Sequence, residues 1–175
     1  MQNSFCSYCG TRYQPDASWP RLCGACGETT WRNPLPVAVA LLPVTMPEGG
    51  SGLVVVRRDI DPGRGELGLP GGFMEVGEVW REAAVRELRE ETGILADAAD
   101  VRLFDVHSGR DGGVLLVFGL LPERPLADLP PVTASNETVE WLVLTQPQRL
   151  VFPTHTDAMA AYFARTDGLT SVPTT

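Results

Sequence analysis

Glu87, Glu90 and Glu91 stand at i, i+3 and i+4 within residues 72–94, GFMEVGEVWREAAVRELREETGI. On a helix, three carboxylates so spaced share one face. Their like charges repel, and a hard dication such as Mg2+ or Mn2+, which prefers carboxylate oxygen and water, is the ligand that suits them. A solvated acidic face is the plainer reading of such a run. Against it, the same stretch places Gly72 ahead of the acids, Glu78 and Arg86 near them, and Gly93 behind them. A glycine turn leading into clustered carboxylates is suited to holding a metal against a phosphate chain.

A second set of side chains lies near the N-terminus. Cys6-Ser-Tyr-Cys9 and Cys23-Gly-Ala-Cys26 are two CxxC pairs, thirteen residues apart. That spacing is a zinc pattern, and four thiolates leave no open position for water, so a Zn2+ there is structural. The alternatives are disulfides or free thiols. Residues 1–30 show no apolar leader, which argues for a cytoplasmic protein and against disulfides. Gly10, Gly24 and Gly27 let backbone N–H groups approach the sulfurs, and so short a segment rarely folds without such a staple.

These groups must be positioned by a chain of 175 residues that is 43% hydrophobic, enough for one domain and a small appendage. The net charge is −8, and all fourteen cationic residues are arginine. That balance argues against broad nucleic-acid binding, which needs clustered positive charge. A phosphate substrate remains compatible, because a bound metal reverses the local sign. No apolar run is long enough to span a membrane. Val/Leu-rich segments at 36–44, 53–58, 101–108, 113–121 and 139–144 read as strands, the first two as a hairpin around PEGGSG. Residues 78–91 read as a helix stopped by Gly93, and Thr156 caps a second helix through Arg165. Strands around a central helix indicate α/β. The expected division is 1–33, 34–166 and a flexible tail, 167–175.

The pattern G-x5-E-x7-R-E-L-x-E-E-x-G-I resembles the Nudix box and departs from it at no fixed position. The resemblance implies a Nudix-type α/β/α sandwich with a mixed sheet, preceded by a small zinc ribbon. It also implies metal-dependent hydrolysis of a nucleoside diphosphate linked to a group X. By similarity, Glu87, Glu90 and Glu91 are ligands of Mg2+ or Mn2+, joined by the backbone near Gly72. Arg86 orients a carboxylate, and Glu78 holds loop and helix together. Gly72 and Gly93 are backbone devices. A glutamate of the box or of a later loop serves as base: Glu137 is the first candidate and Glu140 the second.

A zinc ribbon on Cys6, Cys9, Cys23 and Cys26 ahead of the box, with WRNP at 31–34, is similar to the NADH pyrophosphatase branch. The resemblance stops at that branch's SQPWPFP-type signature, which has no counterpart here. NADH, NAD+, FAD, ADP-ribose and nucleoside triphosphates all stay open as substrates. Arg57 and Arg58 are candidates for a phosphate, although an exposed strand end is the plainer reading. For Phe73 and Phe104 core packing outweighs base stacking, and neither His107 nor His155 is assigned a role. The partner expected is a small nucleotide, with no nucleic acid and no membrane; because relatives are commonly dimeric, a homodimer stays open. The competing class is a nucleotide-sensing regulator with a Nudix fold and a ribbon-borne binding module. Its marks would be a broken box or a basic ribbon. The box is whole, and the ribbon's Arg12, Arg21 and Arg32 face Asp16 and Glu28, leaving little positive charge once the zinc-bound thiolates are counted.

Overall fold

The protein is described by a computed structural model covering residues 4–169. Two compact units divide between Pro34 and Leu35. In the first, Arg21–Leu22 (β1) and Thr29–Thr30 (β2) pair antiparallel. Cys6, Tyr13 and Cys23 form its small buried centre, with Ala17 against them. The Tyr13 hydroxyl closes that centre by donating to Thr30 Oγ1 at 2.7 Å.

The second unit is built on two mixed sheets. The apolar run expected as one strand over 36–44 is divided: Leu35–Leu41 is β3 and Pro43–Thr45 is β4. β4 keeps the hairpin with Ser51–Arg58 (β5). β3 instead enters the other sheet. Residues 38–42 are all fully buried, so no alternation survives from which a change of sheet could be read. Leu67–Gly68 (β6) also pairs with β5. Gly71–Phe73 (β7) lies antiparallel to β3. Arg102–Ser108 (β8) and Val114–Leu120 (β9) are the strands expected near 101–121, and β9 runs parallel to β3. Arg124–Pro125 (β10), a short strand within the proline-rich stretch 122–131, runs parallel to β4, and Thr138–Leu144 (β11) lies antiparallel to β5. The sheet orders are β10-β4-β5-β11 and β7-β3-β9-β8.

Two helices cover the strands. Trp80–Thr92 (α1) packs through Leu88 onto Ala40, Leu42, Val54, Val56 and Trp141. Pro153–Leu169 (α2) packs through Met159, Tyr162 and Phe163 onto Val39, Leu41, Leu53, Val55 and Phe118. Successive residues of β5 thus serve opposite cores, which makes the unit an α/β/α sandwich; each Val or Leu so buried stabilises it by about 1.5–3 kcal/mol.

The helix boundaries differ from the sequence reading. α1 starts two residues later than expected, so Glu78 lies outside it; Glu82 turns back to accept from Val79 N at 3.3 Å. Gly93 closes α1 at φ 75°, donating to Arg89 O. Pro153, with no N–H to leave unpaired, opens α2. Thr156 therefore lies inside the first turn, where its hydroxyl oxygen accepts from Leu150 N at 2.9 Å. Of the expected tail, 167–169 belong to α2, and 170–175 lie outside the described residues. Among the described residues no helix is long and apolar enough to cross a membrane.

Candidate active site

α1 carries the acids, and β7 brings the glycines against them. Glu87 and Glu91 are buried on the inner side of the helix, while Glu90 is half exposed. Gly72 is required by crowding: a Cβ there would lie 2.5–2.7 Å from the Glu87 carboxylate. At Gly71 a Cβ would meet Ala38 O at 2.5 Å, and the Gly71 N–H donates to Glu91 Oε2 at 3.0 Å. Any larger residue in this pair would push β7 off the acids.

Arg86 gathers the rest. Its Nε and Nη2 reach the two oxygens of Glu78 at 2.8 and 3.0 Å, Nη2 also donates to Phe73 O, and Nη1 donates to Glu87 Oε1 at 2.7 Å and Glu90 Oε2 at 3.1 Å. One guanidinium thus joins the loop before α1 to the acid face. Such forked, charge-assisted bonds are the strong ones. The Glu78 hydrogen bonds and the other acids hold Arg86 above its already high ordinary value, and Arg86 in turn holds the Glu78 carboxyl below its own.

The buried acids move the other way. Burial, with Glu137 and neighbouring acids adding repulsion, raises Glu87 despite Arg86, and raises Glu91 to about 8 despite the Gly71 amide. Glu137 lies in the exposed turn before β11, near enough to repel both. Between Thr138 and Glu140 the pairing with β5 slips by one residue. Trp141 and Val143 face the α1 core, so regular alternation would turn Val139 inward. The bulge leaves Val139 half exposed and buries Thr138 instead. Bulges re-aim side chains in this way.

The remaining candidates separate. Glu140 is engaged by Arg57 at 2.7 Å across the β5–β11 pair. Arg58 donates to Pro62 O and lies over the Phe152 ring. Phe73 is exposed rather than packed, whereas Phe104 joins the α2 core beneath Arg165. His107 pairs with Asp105 at 3.2 Å. His155 is buried, accepts from Leu69 N on Nδ1, and is pushed down to about 3 by burial and by Arg58. Sequence reasoning reached the backbone around Gly71 and Gly72 but not the Gly71 N–H bond to Glu91, and it missed Ser135 and Thr138, whose SxxT spacing before a strand was the only trace.

As a test of fit for a hard dication, the donors are carboxylate oxygens on one helix face, and two of them are buried acids whose raised pKa a bound cation would reverse. They suit Mg2+ or Mn2+. They are not drawn together: Glu87 and Glu90 turn to Arg86, and Glu91 turns to Gly71. Among the described residues only Cys6, Cys9, Cys23 and Cys26 bring three or more donor atoms within 4.8 Å of one another.

In the first unit the four cysteines are free, with Cys6 Sγ 3.7 Å from Cys26 Sγ and Cys9 Sγ 3.6 Å from Cys23 Sγ. A tetrahedron of thiolates about 2.3 Å from a zinc ion has edges of about 3.8 Å. The two knuckles repeat one hydrogen-bond plan: Gly10 N donates to Cys6 O and Gly27 N to Cys23 O, each glycine at positive φ. The Cys9 backbone amide lowers Cys6 to about 6. The Glu28 amide lowers Cys26, but burial and the other sulfurs outweigh it and push that thiol to about 12. The donor set fits Zn2+.

Comparison with known proteins agrees with this arrangement. ADP-ribose pyrophosphatase of Methanocaldococcus jannaschii is 41% identical over 59 residues, 34% of each chain. NAD-capped RNA hydrolase NudC of Salmonella heidelberg is 29% identical over 93 residues, 53% of this chain and 34% of that one. The chain thus matches about a third of the length of these curated relatives. The fold of a NUDIX hydrolase from Nitrosomonas europaea superimposes with a TM-score of 0.72 at 24% identity, covering 94% of this chain and 93% of that one. The NUDIX domain family matches residues 34–165; the chain belongs to the Nudix family.

Proposed function

We propose that the protein is a Nudix hydrolase that cleaves the pyrophosphate bond of a nucleoside diphosphate linked to X. The observation that carries this reading is the Arg86 hub, which joins Glu78, Glu87 and Glu90 beside the buried Glu91. Glu87, Glu90, Glu91 and the backbone near Gly72 would hold Mg2+ or Mn2+, whose chemistry is to neutralise phosphate oxyanions and lower the pKa of water. Arg86 anchors one oxygen of Glu87 and one of Glu90, which fixes both side chains on that face. Glu137, in an exposed turn, takes the proton of the attacking water onto a carboxylate oxygen. Gly72 keeps β7 close enough for the diphosphate to approach the acids. Gly93 ends α1 so that Glu90 and Glu91 stand in its last turn. Zn2+ on Cys6, Cys9, Cys23 and Cys26 is structural.

For the substrate we favour ADP-ribose or a dinucleotide such as NADH, NAD+ or FAD. The two relatives, an ADP-ribose pyrophosphatase and an NAD-capped RNA hydrolase, support this class. A panel of ADP-ribose, NADH, NAD+, FAD and NAD-capped RNA, scored for nucleoside monophosphate release with Mg2+ and Mn2+, tests it. Release from ADP-ribose or at least one of the dinucleotides, lost in both Glu90→Gln and Glu91→Gln, is expected. Full turnover in both variants would remove the site.

A further inference from the structure

We propose that Thr138, acting with Ser135, is a positioning residue that fixes Glu137 against the acid face of α1. The inference rests on the hydrolase reading above and on the assignment of Glu137 as its base.

The Thr138 hydroxyl is buried and donates to the main-chain oxygen of Glu91 at 2.7 Å. That carbonyl belongs to the last turn of α1, where carbonyls have no helical partner. Having given its single hydrogen to Glu91, Thr138 Oγ1 can only accept from Ser135 Oγ, 3.0 Å away. Ser135 Oγ in turn accepts from the amides of Glu137 and Thr138 at 3.2 and 3.1 Å. Both hydroxyl hydrogens then have one assignment each. Ser135 N donates to Thr138 O, closing the turn, and Asp59 N donates to Glu137 O at 2.7 Å. The backbone of Glu137 is therefore held on both sides, and its side chain is what remains free.

The link reaches the acids through one residue. Glu91 accepts from Gly71 N with its carboxylate and from Thr138 with its main chain. β7, α1 and the Glu137 turn thus meet at Glu91. The β11 bulge makes this geometry available, because it turns Thr138 rather than Val139 toward α1.

The test compares Thr138→Val, Thr138→Ser and Ser135→Ala with the unaltered protein, each alone and in a Glu137→Gln background. Thr138→Val is expected to lower kcat by about 10–100-fold, the range for residues that orient a metal site from behind, with KM unchanged. Thr138→Ser restores most of it, and Ser135→Ala, at a less buried position, lowers kcat in the same direction. In zinc-loaded protein without added Mg2+ or Mn2+, the Glu137 and Thr138 amides exchange faster in Thr138→Val and Ser135→Ala while α1 keeps its protection. In the Glu137→Gln background, Thr138→Val adds no further loss, as required of a residue acting through Glu137. If Glu137→Gln lowers kcat but Thr138→Val leaves it intact, or if the two losses multiply, the positioning role is overturned and the base assignment stands. If Glu137→Gln keeps full kcat, the base assignment falls and takes the positioning role with it.

Discussion

The two donor clusters of this molecule are prepared for metal in opposite ways. The four sulfurs already stand at the spacing of a tetrahedral thiolate site, fixed by two knuckles with the same backbone bonds. The three helix carboxylates are spread, with Arg86 and Gly71 occupying oxygens that a dication would need. The difference follows from charge. Thiols can be packed together with few charges among them and release their remaining protons as a metal arrives, whereas ionised carboxylates on one face need a cation beside them. Arg86 is that cation. The first arrangement suits a metal that stays, and the second suits one that arrives with a phosphate chain and leaves room for water.

The largest effect is expected where the sulfur cluster is broken. Cys23→Ser should abolish zinc retention and release the fold of residues 4–34, since binding energy of about 10–16 kcal/mol is folding energy in small zinc modules. Metal content near one zinc per chain before the change, and loss of amide protection after it, check this. Next comes the hub. Arg86→Gln leaves three acids without their cation and should destabilise the zinc-loaded protein, before Mg2+ or Mn2+ is added, by about 1.5–3 kcal/mol, the range for hydrogen bonds to charged groups. Mn2+ should then raise the melting temperature of the variant more than that of the unaltered protein. Equal gains would break the contrast drawn here.

Smaller effects sharpen it. Gly72→Ala drives a methyl group into the Glu87 carboxylate and should cost about 1–3 kcal/mol by overpacking, with hydrolysis reduced and zinc content unchanged. His155 shows a third way of tolerating burial, by staying neutral. Its folded pKa, pushed down to about 3, lies below the unfolded value near 6.5. Its contribution is therefore complete above pH 6.5 and is lost as pH falls toward 3. The slope is up to about 1.4 kcal/mol per unit. Compared by urea unfolding at pH 6.5 and 5.5, the unaltered protein should lose about 1 kcal/mol relative to His155→Gln, the raised Glu91 acting equally in both.

Much of this was legible from residue order. The acid helix and its glycine stop follow from spacing, the α/β class from the order of strands and helices, and the sandwich from the resemblance to the Nudix box. What escaped was tertiary. The run around Leu42 is buried on every side, so it carries no sign that β3 and β4 part company. β6 and β7 are short and glycine-rich, with none of the branched residues that announce a strand. Glu78 falls outside α1 because Arg86, eight residues on, draws it back into the loop. The bulge at Val139 reverses the inward and outward faces of β11 at its first residues, and with them the meaning of Thr138. None of these can be seen without the partner strand or helix in place.

The central claim is that the α1 carboxylates bind a hard dication for hydrolysis. Mn2+ titration followed by electron paramagnetic resonance, on the zinc-loaded protein and on its Glu91→Gln variant, tests it most directly. The account predicts Mn2+ binding that weakens by at least about 10-fold in the variant, together with loss of hydrolysis. Equal Mn2+ affinity in the two proteins would contradict it.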